Sequence, residues 1–394
     1  MNTPAPTARG YSRRSNEIAP FHVMSLLARA NALEQQGHDV IHLEIGEPDF
    51  TTAEPIVRAG QAALGAGHTR YTAARGLPAL REAIAGFYRS RYQVHIDPER
   101  ILVTPGGSGA LLLASSLLVD PGKHWLLADP GYPCNRHFLR LVEGAAQLVP
   151  VGPDSGYQLT PQTIASCWNS DSVGALVASP ANPTGTTLDT TQLAALSSAL
   201  KARGGHLVVD EIYHGLTYGF DAPSVLEVDD DAFVLNSFSK YFGMTGWRLG
   251  WMVLPEELVE PVEKLAMNYF LCASTPVQHA AVAAFSPESI AVCESRREEL
   301  HARRALVLDG LARLNLVVPV TPDGAFYIYF DVSSTGLDAW TFCERALDEA
   351  HVALTPGRDF AQGTANTHVR LSYAASREEL TEGLRRLGNF LRTL

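Results

Sequence analysis

Lysine is nearly missing from this chain: 4 of its 394 residues, at positions 123, 201, 240 and 264, against 27 arginines. Where a plain positive charge suffices the sequence uses guanidinium, so each retained ammonium group asks for a reason. Net basic charge is also lacking. The formal charge of −11 argues against a nucleic-acid-binding surface, which needs clustered Lys and Arg, although it leaves room for a single phosphate held by local donors. The 5 cysteines (134, 167, 272, 293 and 343) are scattered and odd in number. No Cys-x-x-Cys or His-Glu-x-x-His spacing occurs, so neither a disulfide framework nor a common zinc motif is indicated and no metal is expected. The longest apolar stretch, Ala110–Val119, is broken by Ser115 and Ser116 and is about half the length needed to span a bilayer. The N-terminus, Met-Asn-Thr-Pro-Ala-Pro-Thr-Ala-Arg, lacks the apolar core of a signal peptide. A soluble, cytoplasmic protein with reduced thiols and no membrane partner is the expectation.

What remains is an ordinary globular composition, 46% hydrophobic and 19% charged with 32 glycines, in a chain long enough for two domains. Apolar spacing over residues 22–37, ending at Gly37, predicts a helix with a C-terminal glycine. Val40–Ile45 then reads as a strand. From about residue 100, short apolar runs alternate with helical stretches: Arg100–Thr104, Trp125–Ala128, Gly174–Ala178, His206–Val209, Phe233–Leu235 and Leu249–Val253. This alternation predicts a mainly parallel sheet covered on both faces. Ser286-Pro-Glu opens a long helix, to about Leu314, that hands the chain to a smaller α+β unit containing strands near Ala325–Phe330 and His368–Ser372.

Four segments carry chemistry. In Ser237-Phe-Ser-Lys-Tyr-Phe-Gly-Met-Thr-Gly-Trp-Arg248, Lys240 is a primary amine, which unlike Arg can lose its proton, attack a carbonyl and form a Schiff base. In Val103-Thr-Pro-Gly-Gly-Ser-Gly-Ala-Leu111, a strand ends in glycines where a helix begins, a ready anion site to which Ser108 adds a hydroxyl. Leucine at 112 breaks the dinucleotide fingerprint there. The serine-nucleophile elbow Gly-x-Ser-x-Gly is nearly matched, with Ala110 in its last place, but a hydrolase would leave Lys240 unexplained. Ser179-Pro-Ala-Asn-Pro-Thr-Gly185 flanks Asn182 with prolines directly after a strand. Leu207-Val-Val-Asp-Glu-Ile-Tyr213 closes a buried strand with Asp210, a carboxylate in want of a cation. Open α/β sheets bind ligands at such strand ends.

Asn182, Asp210, Tyr213, Lys240 and Arg248, in this order and spacing, resemble the fold-type I pyridoxal-phosphate aminotransferases, class I, related to the aspartate aminotransferase group. The resemblance covers nearly the whole chain. It implies an α/β fold with a mainly parallel seven-stranded sheet in a large cofactor-binding domain, 46–285. The segments 1–45 and 286–394 would build a small α+β domain. It further implies ping-pong transamination between an amino acid and a 2-oxo acid, in a homodimer with shared active sites. On that resemblance Lys240 matches the lysine that carries pyridoxal 5'-phosphate, Asp210 the acid beside the ring nitrogen, and Asn182 and Tyr213 the partners of the phenolic oxygen. Tyr132, in Asp-Pro-Gly-Tyr-Pro, matches the aromatic stacked on the ring. Gly107, Ser108, Ser237 and Arg248 match phosphate ligands, and Tyr71 matches the tyrosine donated by a partner subunit. Arg370, in Val-Arg-Leu-Ser-Tyr, is similar to the clamp for the substrate α-carboxylate. Gly46 matches the glycine that lets the N-terminal segment close on substrate.

The side-chain pocket departs from the group. Bacterial aspartate aminotransferases commonly hold the distal carboxylate with a lysine after the Gly-Gly turn and an N-terminal serine; here those places hold Ser108 and Phe21. No arginine lies within Asn268–Pro276, where another subgroup's partner supplies one. An apolar or aromatic donor is therefore expected, with Phe21 either lining the pocket or sitting in the core. Three alternatives stay open: an aspartate-type aminotransferase, a β-lyase or decarboxylase of the same fold, and a transcription regulator with an aminotransferase-like domain. The last needs a DNA-binding helix-turn-helix, and only about 45 residues precede the first motif.

Overall fold

The computed structural model describes residues 10–18 and 22–394. Twelve strands occur among them: β1 (Ile41–His42), β2 (Ile101–Thr104), β3 (His124–Asp129), β4 (Ala145–Pro150), β5 (Ser172–Ala178) and β6 (His206–Asp210). They continue with β7 (Phe233–Ser237), β8 (Gly250–Val253), β9 (Tyr327–Asp331), β10 (Val352–Ala353), β11 (Thr355–Pro356) and β12 (His368–Ser372). Seven form one sheet in the order β2-β8-β7-β6-β5-β3-β4, in which β8 alone runs against its neighbours.

Alternation along these strands divides their side chains between two apolar clusters, as a sheet covered on both faces requires. Leu176, Val208 and Met252 enter one cluster, with Leu113 of the helix Gly106–Leu118 and Trp125. Their strand neighbours Ala175, Val177, Leu207, Val209, Trp251 and Val253 enter the other.

The sequence-predicted strands all appear, with two differences. β4 was not anticipated: Ala-Ala-Gln-Leu-Val-Pro, at the sheet edge and mostly half-buried, lacks the continuous apolar run of an inner strand. β1 is shorter than Val40–Ile45. It pairs in parallel with β10, Ile41 opposite Val352, and beyond Leu43 the backbone leaves the ladder. There the carbonyls of Glu44 and Gly46 accept bonds from the side chains of Arg370 and Lys240 instead.

The helix expected over 22–37 runs Val23–Gln35, after a short helix Arg13–Glu17, and is followed by Gly37 at φ +91°, a left-handed position that glycine adopts without steric cost. The helix Pro287–Arg313 starts where Ser286 caps the Ser289 N–H, then leads to the antiparallel sheet β11-β12-β9. Among the described residues no helix is long and apolar enough to cross a membrane, and no group of three or more His, Cys, Asp or Glu is arranged to hold a metal.

Candidate active site

The carboxyl ends of β2, β5, β6 and β7 and the start of β8 face one cavity of about 500 Å³. β2 delivers the Gly-Gly-Ser turn, which opens the helix Gly106–Leu118 with Gly107 and Ser108 on the cavity wall. Gly106 has φ +72°, and a Cβ there would stand 2.7 Å from an Arg248 guanidinium nitrogen, so this turn and Arg248 are built against each other. Arg248 donates to the Thr245 carbonyl at 3.0 Å and reaches the Ser239 hydroxyl at 3.5 Å. Ser237, at the end of β7, bonds Ser239 at 2.9 Å. Helix amides, two serine hydroxyls and a guanidinium therefore converge, a cradle suited to a phosphate dianion.

Asp210 closes β6 in the same cavity. Burial pushes its carboxyl up to about 6, against the bond it accepts from the Ile212 N–H (3.0 Å) and the attraction of Lys240. A carboxylate so placed would be relieved by a cation on the cavity side, such as a protonated aromatic nitrogen. The Lys240 Nζ donates to the Gly46 carbonyl at 2.7 Å and lies 5.7 Å from the Tyr213 ring centroid. Burial holds the Tyr213 phenol well above its ordinary range, so it stays protonated.

Arg370, on β12, is buried at the far wall. It donates to Asn182 Oδ1 (3.0 Å), the Glu44 carbonyl (2.7 Å) and the Thr355 hydroxyl (3.3 Å), while its Nε has no partner. Its guanidinium carbon lies 4.3 Å from the Tyr327 ring centroid and 4.7 Å from that of Phe360. Together with the phosphate cradle and Asp210, this donor set fits pyridoxal phosphate and an amino-acid carboxylate.

Gly46 and Tyr132 line the cavity with the nine other predicted residues on its wall, which brings together eleven of the thirteen positions. Tyr71 does not line it and is 81% exposed. Phe21 lies outside the described residues. Sequence reasoning missed Tyr327, Glu47, Ser239 and Thr245 on the same wall. The hydroxyl of Ser239, one residue before Lys240, was visible in the motif; nothing local marked Tyr327.

The family described as "Aminotransferase class I and II" matches residues 38–387. A valine–pyruvate aminotransferase of Mycobacterium tuberculosis is 38% identical over 377 residues, covering 95% of this chain and 97% of that protein. An aspartate aminotransferase of Thermotoga maritima is 35% identical over 383 residues, covering 96% and 99%. The crystal structure of an aminotransferase from Mycobacterium tuberculosis superposes with a TM-score of 0.94 at 38% identity, covering 98% of this chain and 99% of the other. The chain belongs to the class I and II aminotransferases. It is an amino-acid aminotransferase of fold type I, a transferase of nitrogenous groups, in a family that uses pyridoxal phosphate.

Proposed function

We propose that this enzyme uses pyridoxal 5'-phosphate to move the amino group of an apolar amino acid to a 2-oxo acid. The observation that carries the reading is one cavity shared by Lys240, Asp210 and Arg248, at or next to the ends of β7, β6 and β8, and by Arg370 from within β12, each suited to a different task. Pyridoxal phosphate, when bound, supplies an electron sink that lets an amino acid lose its α-proton. Gly107, Ser108, Ser237 and Arg248 would hold its phosphate, Asp210 its ring nitrogen, Asn182 and Tyr213 its phenolic oxygen, and Tyr132 its ring face.

Arg370 grips the substrate α-carboxylate in a planar, bidentate manner and so fixes the α-carbon. Lys240 Nζ would hold the cofactor, and as a free amine it is the group placed to take the substrate α-proton. Gly46 and its neighbours cover the cavity and limit water at the reacting carbon.

The donor class follows from what else lines the cavity. Leu111 and Phe138 are apolar, Glu47 is acidic, and the three cations all have tasks. A distal carboxylate would meet no further counter-charge among the described lining residues, and the mycobacterial relative's name, valine–pyruvate aminotransferase, supports the same choice. We further infer a homodimer in which Tyr71, exposed and away from its own cavity, completes the phosphate site of the other subunit. The chain would divide into a large domain, 46–285, and a small one of 1–45 with 286–394, a division supported by the β1–β10 pairing.

The test is a half-reaction screen: cofactor-loaded protein is mixed with single amino acids and its visible absorbance followed. Aliphatic or aromatic donors should bleach the band faster than aspartate. Faster conversion by aspartate would overturn the donor assignment.

A further inference from the structure

Gly46, Tyr213 and Arg370 meet at one side chain that no motif singled out, Tyr327, the first residue of β9. Tyr327 is 1% exposed and lines the cavity. Its place is set by the sheet. Arg370 pairs with Tyr329 across β12 and β9, so Tyr327, two residues along, shares the face of Arg370 and lies diagonal to it. The Tyr327 ring faces the guanidinium at 4.3 Å, its hydroxyl lies 3.0 Å from the Tyr213 hydroxyl, and a Cβ on Gly46 would stand 2.6 Å from that same oxygen.

We propose that Tyr327 is a positioning residue for transamination, its ring holding the carboxylate clamp and its hydroxyl aiming that of Tyr213. This rests on the roles proposed above for Arg370 and Tyr213. A buried guanidinium with an unpartnered Nε gains from an aromatic face what it loses in hydration. Phe360 supplies a second ring, its centroid 4.7 Å from the guanidinium carbon. The hydroxyl acts differently. A phenol donates once and accepts as well, so when Tyr327 donates to Tyr213, the Tyr213 proton is left to point into the cavity, as a stronger donor. Gly46 is glycine in this account because any side chain there would displace the Tyr327 hydroxyl.

The two functions separate in two variants of the full, cofactor-loaded chain. Tyr327→Phe keeps the ring and removes the hydroxyl; Tyr327→Leu removes both. One readout is the affinity for 3-methylbutanoate, an unreactive monocarboxylate, by calorimetry. The other is the pH midpoint of the visible absorbance band, which rises when the donor to the phenolic oxygen of the cofactor weakens or turns away and that oxygen holds the neighbouring proton more tightly. Tyr327→Phe should bind the carboxylate within about twofold of wild type, with its midpoint moved to higher pH; Tyr327→Leu should bind it about tenfold more weakly.

Arg370→Gln serves as the control. If Arg370→Gln loses the carboxylate while Tyr327→Leu binds it as wild type does, the ring does not hold the clamp. If Arg370→Gln binds it normally, the clamp assignment itself falls and the ring's role with it. An unchanged midpoint in Tyr327→Phe overturns the role of the hydroxyl, and that variant decides the point even if Tyr327→Leu does not fold.

Discussion

Asp210 shows most plainly how one residue is shaped for a ligand. Its folded pKa, raised by burial to about 6 from 3.8, means that its contribution to stability is fully present below about pH 3.8 and is lost as pH rises through 6. At pH 7 the ionised carboxylate therefore costs the cofactor-free protein up to about 3 kcal/mol. Cofactor-free Asp210→Asn should melt above cofactor-free wild type at pH 7, and the two should converge near pH 4. Equal melting temperatures at pH 7 would mean that the carboxylate is not strained. In catalysis the sign reverses. Asp210→Ala should still attach the cofactor to Lys240 yet lose at least about a hundredfold in turnover, because the ring nitrogen is no longer kept protonated. Near wild-type turnover would refute the role.

At the scale of elements, the segment leaving β1 joins the small sheets to the site. His42, in β1, lies 2.7 Å from Glu44 and 3.4 Å from Glu34, and its hydrogen bond to Glu44 lifts its pKa to about 9 despite partial burial. A raised histidine pKa contributes stability fully present below 6.5 and lost as pH climbs through 9. Wild type should therefore exceed His42→Gln by about 2 kcal/mol in unfolding experiments at pH 6, a gap that closes above pH 9. A gap independent of pH would remove the ion pair from the account. The inner strands were legible because parallel strands buried on both faces are continuous apolar runs. The helix Pro287–Arg313 announced itself by its cap and proline. β4 escaped because an edge strand needs no such run, and β1 was over-read because carbonyls past Leu43 turn to Arg370 and Lys240.

At the scale of the whole molecule, the cavity gathers residues from motifs far apart in sequence, and those around Gly107, Asn182, Asp210 and Lys240 were readable because they sit at or just beyond strand ends, where chemistry is local. Tyr327 was not readable. Its importance arises only when β9 pairs with β12 and the chain at Gly46 packs against it. The proposed homodimer has its own test. Tyr71→Phe and Lys240→Ala chains, each weak alone, are mixed and allowed to exchange subunits. One site of each heterodimer would carry both defects and the other neither, so up to roughly half of a wild-type dimer's activity should return. No return despite verified exchange would mean that Tyr71 does not act across the interface. Everything else depends on a single amine, so the most direct measurement is borohydride reduction of the pyridoxal-phosphate-loaded protein followed by peptide mapping. The label should fall on Lys240; a label on Lys123, Lys201 or Lys264 instead would contradict the account.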